Sequence, residues 1–194
     1  MKSHGVPPPT SSRAAFSLVE LMGVIVVLAL MATMVAVSWQ SVLPRAELNK
    51  AVRDLSSQLS AVRSDAISRK ARFEIQYSFT ADENRPVGYR VVSPFRANGR
   101  GGLAAREEER LAFAWHELPA SVHFKRIRVD GQDVTDGVIS VYFDPLGTST
   151  DHLVILEQLP SGDVHTIEVM ALTGDFRLHD GEFVRELPQE SDFQ

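Results

Sequence analysis

No cysteine occurs in the chain, which excludes disulfides, zinc–thiolate centres and cysteine nucleophiles and leaves packing alone as the source of stability. Basic residues are not in excess either. The formal net charge of −5 argues against a nucleic-acid partner, and the small basic group Lys125, Arg126 and Arg128 is expected on a solvated strand edge. No internal repeat is visible. The patterns H-E-x-x-H, G-x-S-x-G and a phosphate-binding loop are all missing, and the six histidines are scattered, with His116, His123, His152 and His165 in or beside strand-like segments. The reading is therefore a protein that is not an enzyme, with no catalytic residues and no cofactor. Asp144, Thr148 and Asp151 lie close together and carry the hard oxygens that suit calcium. Two acids are few for such a shell, so these residues are read as turn formers and no metal is expected.

Against these absences stands an uncharged run from Leu21 to Gln40. Some twenty apolar residues at about 1.5 Å of rise make a helix of roughly 30 Å, the hydrocarbon thickness of a bilayer. A cleaved secretory signal has an apolar region of only about 7 to 15 residues and a small-residue cleavage motif. This run is longer and continues into Ser38-Trp39-Gln40, so it reads as an anchor, with Trp39 placed as an interfacial aromatic. The leader from Met1 to Ala15 carries Lys2 and Arg13 and no acid, which keeps it on the cytoplasmic side. Pro7-Pro8-Pro9 suits an extended leader. Everything beyond the anchor is then exported, giving a single-pass membrane protein with an exported head.

Glu20 stands at the edge of that run. A carboxylate costs about 2.5 to 3.5 kcal/mol near the bilayer centre and less at the interface. Two readings stay open: the carboxylate remains wet at headgroup depth, or it pairs with a cation supplied from elsewhere. A free α-amino group would serve, and cutting the chain before Phe16 would create one.

The string Ala14-Ala15-Phe16-Ser17-Leu18-Val19-Glu20-Leu21-Met22-Gly23, continuing into the apolar run, resembles the type III signal of type IV pilins and type II secretion pseudopilins. The resemblance implies that a prepilin peptidase removes the leader at the Ala15–Phe16 bond and that Phe16 becomes the methylated N-terminus. It further implies that Glu20, the fifth mature residue, meets the terminal amine of a neighbouring subunit during assembly. The family prefers glycine immediately before the cut, where this chain has Ala15.

Beyond the anchor, Leu48, Val52, Leu55, Leu59, Val62 and Ala66 recur at spacings of four and three and predict one apolar stripe on a helix running to about Ser68. The other faces carry Glu47, Lys50, Arg53, Asp54, Arg63 and Asp65. The stripe is expected to lie on a sheet, with a narrow coiled coil as the lesser option. Pro44 is expected to kink or break the helix. From Phe73 the period becomes alternating, and strands are predicted at 73–79, 88–93, 111–117, 121–129, 138–143, 153–158, 164–170 and about 176–178. Ser161-Gly162-Asp163 and Thr173-Gly174-Asp175 read as tight turns. The polar piece 94–110 reads as a long exposed loop, the place to look for partner contacts.

The segment Val141 to Ser149, the strand around Ile155 and the segment from Ile167 to Arg177 are similar to the C-terminal region of the GspH/FimT-like minor pseudopilins. The family's F-x-x-x-G then T-G-x-x-R cadence is met at Phe143, Gly147, Thr173, Gly174 and Arg177. The expected organisation is a leader 1–15, a transmembrane and assembly helix 16–43, an amphipathic helix 44–70 and an exported β-rich head 71–194. The expected fold class is α+β, a long N-terminal helix packed on an antiparallel β-sheet head. The function implied is a minor pseudopilin of a type II secretion system, whose partners are the prepilin peptidase/methyltransferase, other pseudopilins or pilins in a filament, and the inner membrane. Two alternatives remain: a minor type IV pilin in pilus biogenesis, and a signal-anchored exported protein that binds a ligand or partner.

Overall fold

The computed structural model describes residues 18–83, 85–97 and 102–185, the side chains of 34–44 excepted. A helix, α1 (Leu18–Arg69), opens these residues and runs on through Pro44, so the proline does not end it. The chain divides into two compact units between Ser41 and Val42, and the second half of α1 belongs to the same unit as all the strands. α1 stops where Lys70 takes a left-handed conformation, φ 50°. The Lys70 amide then donates to Ile67 O at 3.3 Å and the Ala71 amide to Ala66 O at 3.2 Å, the paired bonds of a Schellman cap. Ala66 and Ala71, both buried, supply the apolar contact that accompanies this ending.

Ten strands come after the helix among the described residues. The first sheet holds β1 (Phe73–Ser78), β2 (Gly88–Arg96), β3 (Arg110–Ala112), β4 (His116–Glu117) and β7 (Val138–Phe143), in the order β3-β2-β1-β7 with β4 also on β2. The second holds β5 (Val122–Val129), β6 (Gln132–Val134), β8 (His152–Gln158), β9 (Val164–Val169) and β10 (Phe176–Asp180), in the order β10-β9-β8-β5-β6. Every pairing is antiparallel. The fold is α+β, as expected, with the head built from two sheets rather than one.

Three details differ from the expectation. The expected strand 111–117 is split, because β3 and β4 pair with different parts of β2, and between them the Phe113 amide donates to Val91 O at 2.9 Å. The expected loop 94–110 is partly ordered backbone: β2 runs on to Arg96, Phe95 pairs with Leu103, and a 3-10 turn spans Glu107–Glu109. Phe95 is held there by an edge contact to Phe73, 6.2 Å between centroids. The third detail is β6. Asp130 and Gly131 have φ of 49° and 83°, the double positive value of a two-residue hairpin turn, and they fold Gln132–Val134 back onto β5.

The six stripe residues of α1 are each at most 5% exposed, and Ala51 beside them is 4% exposed. They pack into one core with Ile75, Tyr77, Val141 and Phe143 of the first sheet and Phe124, Ile127, Val154 and Leu156 of the second. The stripe works as a sheet-facing seam. The opposite face of β1 is covered by polar groups: buried Glu74 accepts from Arg110 at 2.6 Å, from Gln76 at 2.6 Å and from Ser140 at 2.7 Å. Three donors on one carboxylate satisfy a charge that would otherwise cost several kcal/mol to bury.

Among the described residues, His152 is the one histidine inside the core, 1% exposed. Its Nδ1 faces Thr150 O at 2.8 Å, so Nδ1 carries the proton and Nε2 is left to face the Tyr77 hydroxyl at 3.4 Å. Burial pushes its pKa down to about 4, opposed in part by the Thr150 carbonyl. The unfolded imidazole titrates near 6.5, so below that pH the unfolded chain takes up a proton that the native state refuses. Stability present above pH 6.5 is therefore lost as the pH falls towards 4, by about 3 kcal/mol in full. Denaturant unfolding of the full chain in detergent between pH 7 and 4 is expected to show this loss, and His152→Phe to remove most of it; equal acid sensitivity in the variant would refute the assignment.

Candidate assembly site

Ala15 and Phe16, the expected cleavage and methylation residues, lie outside the described residues, as do the side chains of Trp39 and Pro44. Glu20 is the third described residue of α1, and its side chain is exposed. Around it the helix has no polar face. Leu18, Val19, Leu21, Met22, Val24, Ile25, Val26, Val27, Leu28, Leu30 and Met31 are 48–75% exposed. An amphipathic helix hides its apolar stripe on its own domain, whereas this segment offers apolar side chains in every direction and a single carboxylate near its start. Among the described residues no helix is long and apolar enough to cross a membrane. The expected span Leu21 to Gln40 continues into 34–40, whose side chains are outside that description.

In the second unit, two of the cadence residues, Gly147 and Gly174, come together at one point on α1. The loop after β7 and the loop before β10 touch backbone to backbone: the Ser149 amide donates to Ala171 O at 2.8 Å, and a Cβ on Gly174 would stand 2.2 Å from Gly147 O. Gly147 and Gly174 both have positive φ, 84° and 62°. Gly174 is therefore required twice over, by its backbone conformation and by the Gly147 carbonyl, whereas at Gly147 the conformation is the demand and a Cβ would meet only the end of the Ile67 side chain at 3.1 Å. Arg63 of α1 closes the assembly, its Nε donating to Gly147 O at 3.3 Å and its Nη1 lying 3.1 Å from Asp175 Oδ1. Thr173 Oγ1 accepts from the Asp175 amide at 3.2 Å, Phe143 is fully buried, and Arg177 is exposed without a hydrogen bond or ion pair among the described residues. The cadence is thus a clamp between two loops and the helix. Arg63, which holds it, reads in sequence only as one more charge off the stripe.

The other candidates disperse. Asp144 accepts from Arg72 Nε at 2.6 Å, while both Asp151 carboxylate oxygens accept from Arg185 Nη1 at 2.8 and 3.0 Å, so the two acids serve different arginines. Lys125, Arg126 and Arg128 are all paired, with Glu157 and Glu182, with Glu182 and with Asp133 respectively. The expected solvated edge holds only in part. A register shift between Phe124 and Arg126 puts Lys125 and Arg126 outward together, whereas Arg128 lies where β6 flanks β5.

No protein-family model matches the chain, and no curated protein matches it. Two solved structures are similar to it. The minor pseudopilin EpsH from the type 2 secretion system of Vibrio cholerae aligns over 69% of this chain and 97% of its own, at 10% identity and a TM-score of 0.45. The type IV minor pilin FimU of Pseudomonas aeruginosa aligns over 70% and 90%, at 18% identity and a TM-score of 0.44.

Gly174→Ala is expected to destabilise the second unit by about 1–3 kcal/mol, since it adds both a left-handed alanine and a clash with backbone. Gly162→Ala, with a similar φ but open space around it, should cost only the conformational part. Denaturant midpoints for the two variants that coincide would contradict the clamp.

Proposed function

We propose that this chain is a minor pseudopilin of a type II secretion system, trimmed by prepilin peptidase between Ala15 and Phe16, methylated on Phe16 and assembled through its helical stem into a periplasmic pseudopilus. The observation that carries the reading is the run of large apolar side chains exposed on all faces of α1 from Leu18 to Met31, with Glu20 as its one acid. Water is a poor solvent for such a surface, at about 25 cal/mol for each Å². Lipid satisfies it before assembly and the stems of neighbouring subunits satisfy it afterwards. A helix apolar all round can be covered by neighbours on several faces at once, as a stem inside a bundle must be.

Glu20 supplies register. Once the leader is gone, the new α-amino group at Phe16 is the cation that a carboxylate in an apolar stem needs, and a subunit whose amine meets the neighbour's Glu20 is set at one axial position. The motif at 14–20 and the cadence from Phe143 to Arg177 support the pseudopilin reading. The same features suit a minor subunit of a type IV pilus, which uses the same processing and the same stem. A signal-anchored exported binding protein would leave Glu20 without a partner.

The test is co-expression with a prepilin peptidase. The mature chain is expected to begin at Phe16 by N-terminal sequencing, and a retained leader or a cut beyond Trp39 would reject the proposal. Glu20→Ala is expected to be cleaved normally yet to enter filaments about tenfold less, the factor that ~1.4 kcal/mol of lost pairing produces. Normal incorporation of that variant would remove Glu20 from the mechanism.

A further inference from the structure

β10 is an outer strand of the second sheet, paired with β9 on one side only. The register decides which of its backbone groups are used. The Met170 amide donates to Asp175 O and the Gly181 amide to Val164 O, both in step with the ladder, so Arg177, His179 and Gly181 turn their peptide groups towards β9. Phe176, Leu178 and Asp180 turn theirs away from it, and among the described residues nothing pairs with those three N–H and C=O groups. The other outer strands are shorter or covered. β3, β4 and β6 have only two or three residues, and β7 is closed at Tyr142, whose amide donates to Thr150 Oγ1 at 3.0 Å and whose carbonyl accepts from the Thr150 amide at 2.9 Å. β10 has neither a proline nor a bulge, two of the devices that blunt an edge.

The space beside this edge is open. Leu178, opposite core residue Ile167 and on the same face, is 51% exposed. Arg177 lies on the other face and is exposed without a partner among the described residues, because Glu168, the acid across from it on β9, is held by His179 and Arg185. α1 passes alongside β10 in the opposite sense. Its Arg63 reaches Asp175, just before the strand, at 3.1 Å, and its Arg45, Leu48 and Asn49 share an open cleft of about 680 Å³ with Asp180 and Gly181 at the strand's end. The charges around that cleft are matched, Arg45 with Asp163 at 3.2 Å and His165 with Asp180 at 3.1 Å, so the cleft selects no ion. It is room at the end of an unpaired strand.

We propose that β10 takes an added strand from a different subunit of the filament, an extended segment with an acid set against Arg177 and an apolar residue beside Leu178. Free N–H and C=O groups at every second residue form a ladder that an extended chain completes. Successive side chains of such a chain fall on opposite faces, one beside Arg177 and the next beside Leu178 and α1. Two copies that paired their β10 strands antiparallel would point their α1 helices in opposite directions, whereas stems rooted in one membrane run the same way. The occupant is therefore a sister subunit, and the contact is made once per copy, as suits a minor component. Its being a subunit rests on the assembly reading, while the open edge does not.

Two end-capped peptides serve as probes, one alternating valine with glutamate and the other valine with lysine, added to the full chain in detergent at neutral pH. The glutamate peptide is expected to bind about threefold more tightly, the effect of one exposed ion pair, and to slow hydrogen exchange at the amides of Phe176, Leu178 and Asp180. Arg177→Glu changes no backbone group and should reverse the preference. Leu178→Pro removes an outward amide and none of the bonds to β9, so it should abolish binding with an unchanged denaturant midpoint. No binding, protection at Val138 and Ser140 of β7 instead, or a preference that Arg177→Glu leaves unmoved would overturn the proposal. In cells, Leu178→Pro is expected to be cut before Phe16 as the parent is, yet to enter filaments several-fold less. Normal entry would remove the sister subunit from this edge, and so would a strong homotypic disulfide from Leu178→Cys, since the chain has no other cysteine. A parent that is never cut would sink the assembly reading and the sister subunit together, whereas a parent that is cut and assembled but gives no protected amides with the peptide would sink the edge contact alone.

Discussion

A single helix of 52 residues here has to satisfy two different surroundings, and no part of it can bury its own apolar surface. From Leu48 to Ala66 the apolar residues recur in register with the helical turn, so one face can be given to the sheets while charges occupy the rest. From Leu18 to Met31 there is no such register, and the side chains stand exposed in all directions. Burial of the first kind stabilises the unit that contains it. Exposure of the second kind is tolerable only when another molecule, lipid or protein, becomes the solvent.

Once the stripe is seated, long-range arginines fix where the loops go. Arg63 holds the two glycine loops to α1, Arg72 holds Asp144 at the end of β7, Arg110 satisfies buried Glu74, and Arg185 joins Asp151 to Glu168. Most of these pairs are partly exposed and each contributes little by itself. Their effect is positional. Arg63 alone among them touches both glycine loops, through Gly147 O and Asp175.

The glycines show how local chemistry and tertiary contact divide the work. Asp130-Gly131 alone suffices to turn β5 into β6, since positive φ at both residues is a local demand and the dipeptide is a hairpin signal in its own right. Gly147 and Gly174 carry the same local demand. The second reason for Gly174, the approach of the Gly147 carbonyl to its Cα, exists only once β8 and β9 bring the two loops together.

The sequence by itself determined the features that arise from periodicity and from the chemistry of single residues: the seam on α1, the switch to alternating strands at Phe73, the α+β class, and the apolar run led by Glu20. These are local because helical and strand periods are written in neighbouring residues. Only the tertiary structure decided that the strands form two sheets, that 94–110 is pinned in part to β2 and β3, and that Arg63 is a clamp rather than a solvated charge. Those outcomes depend on which distant segments meet, and pairing across many residues is set by the summed burial and hydrogen bonding of the whole unit rather than by any short pattern.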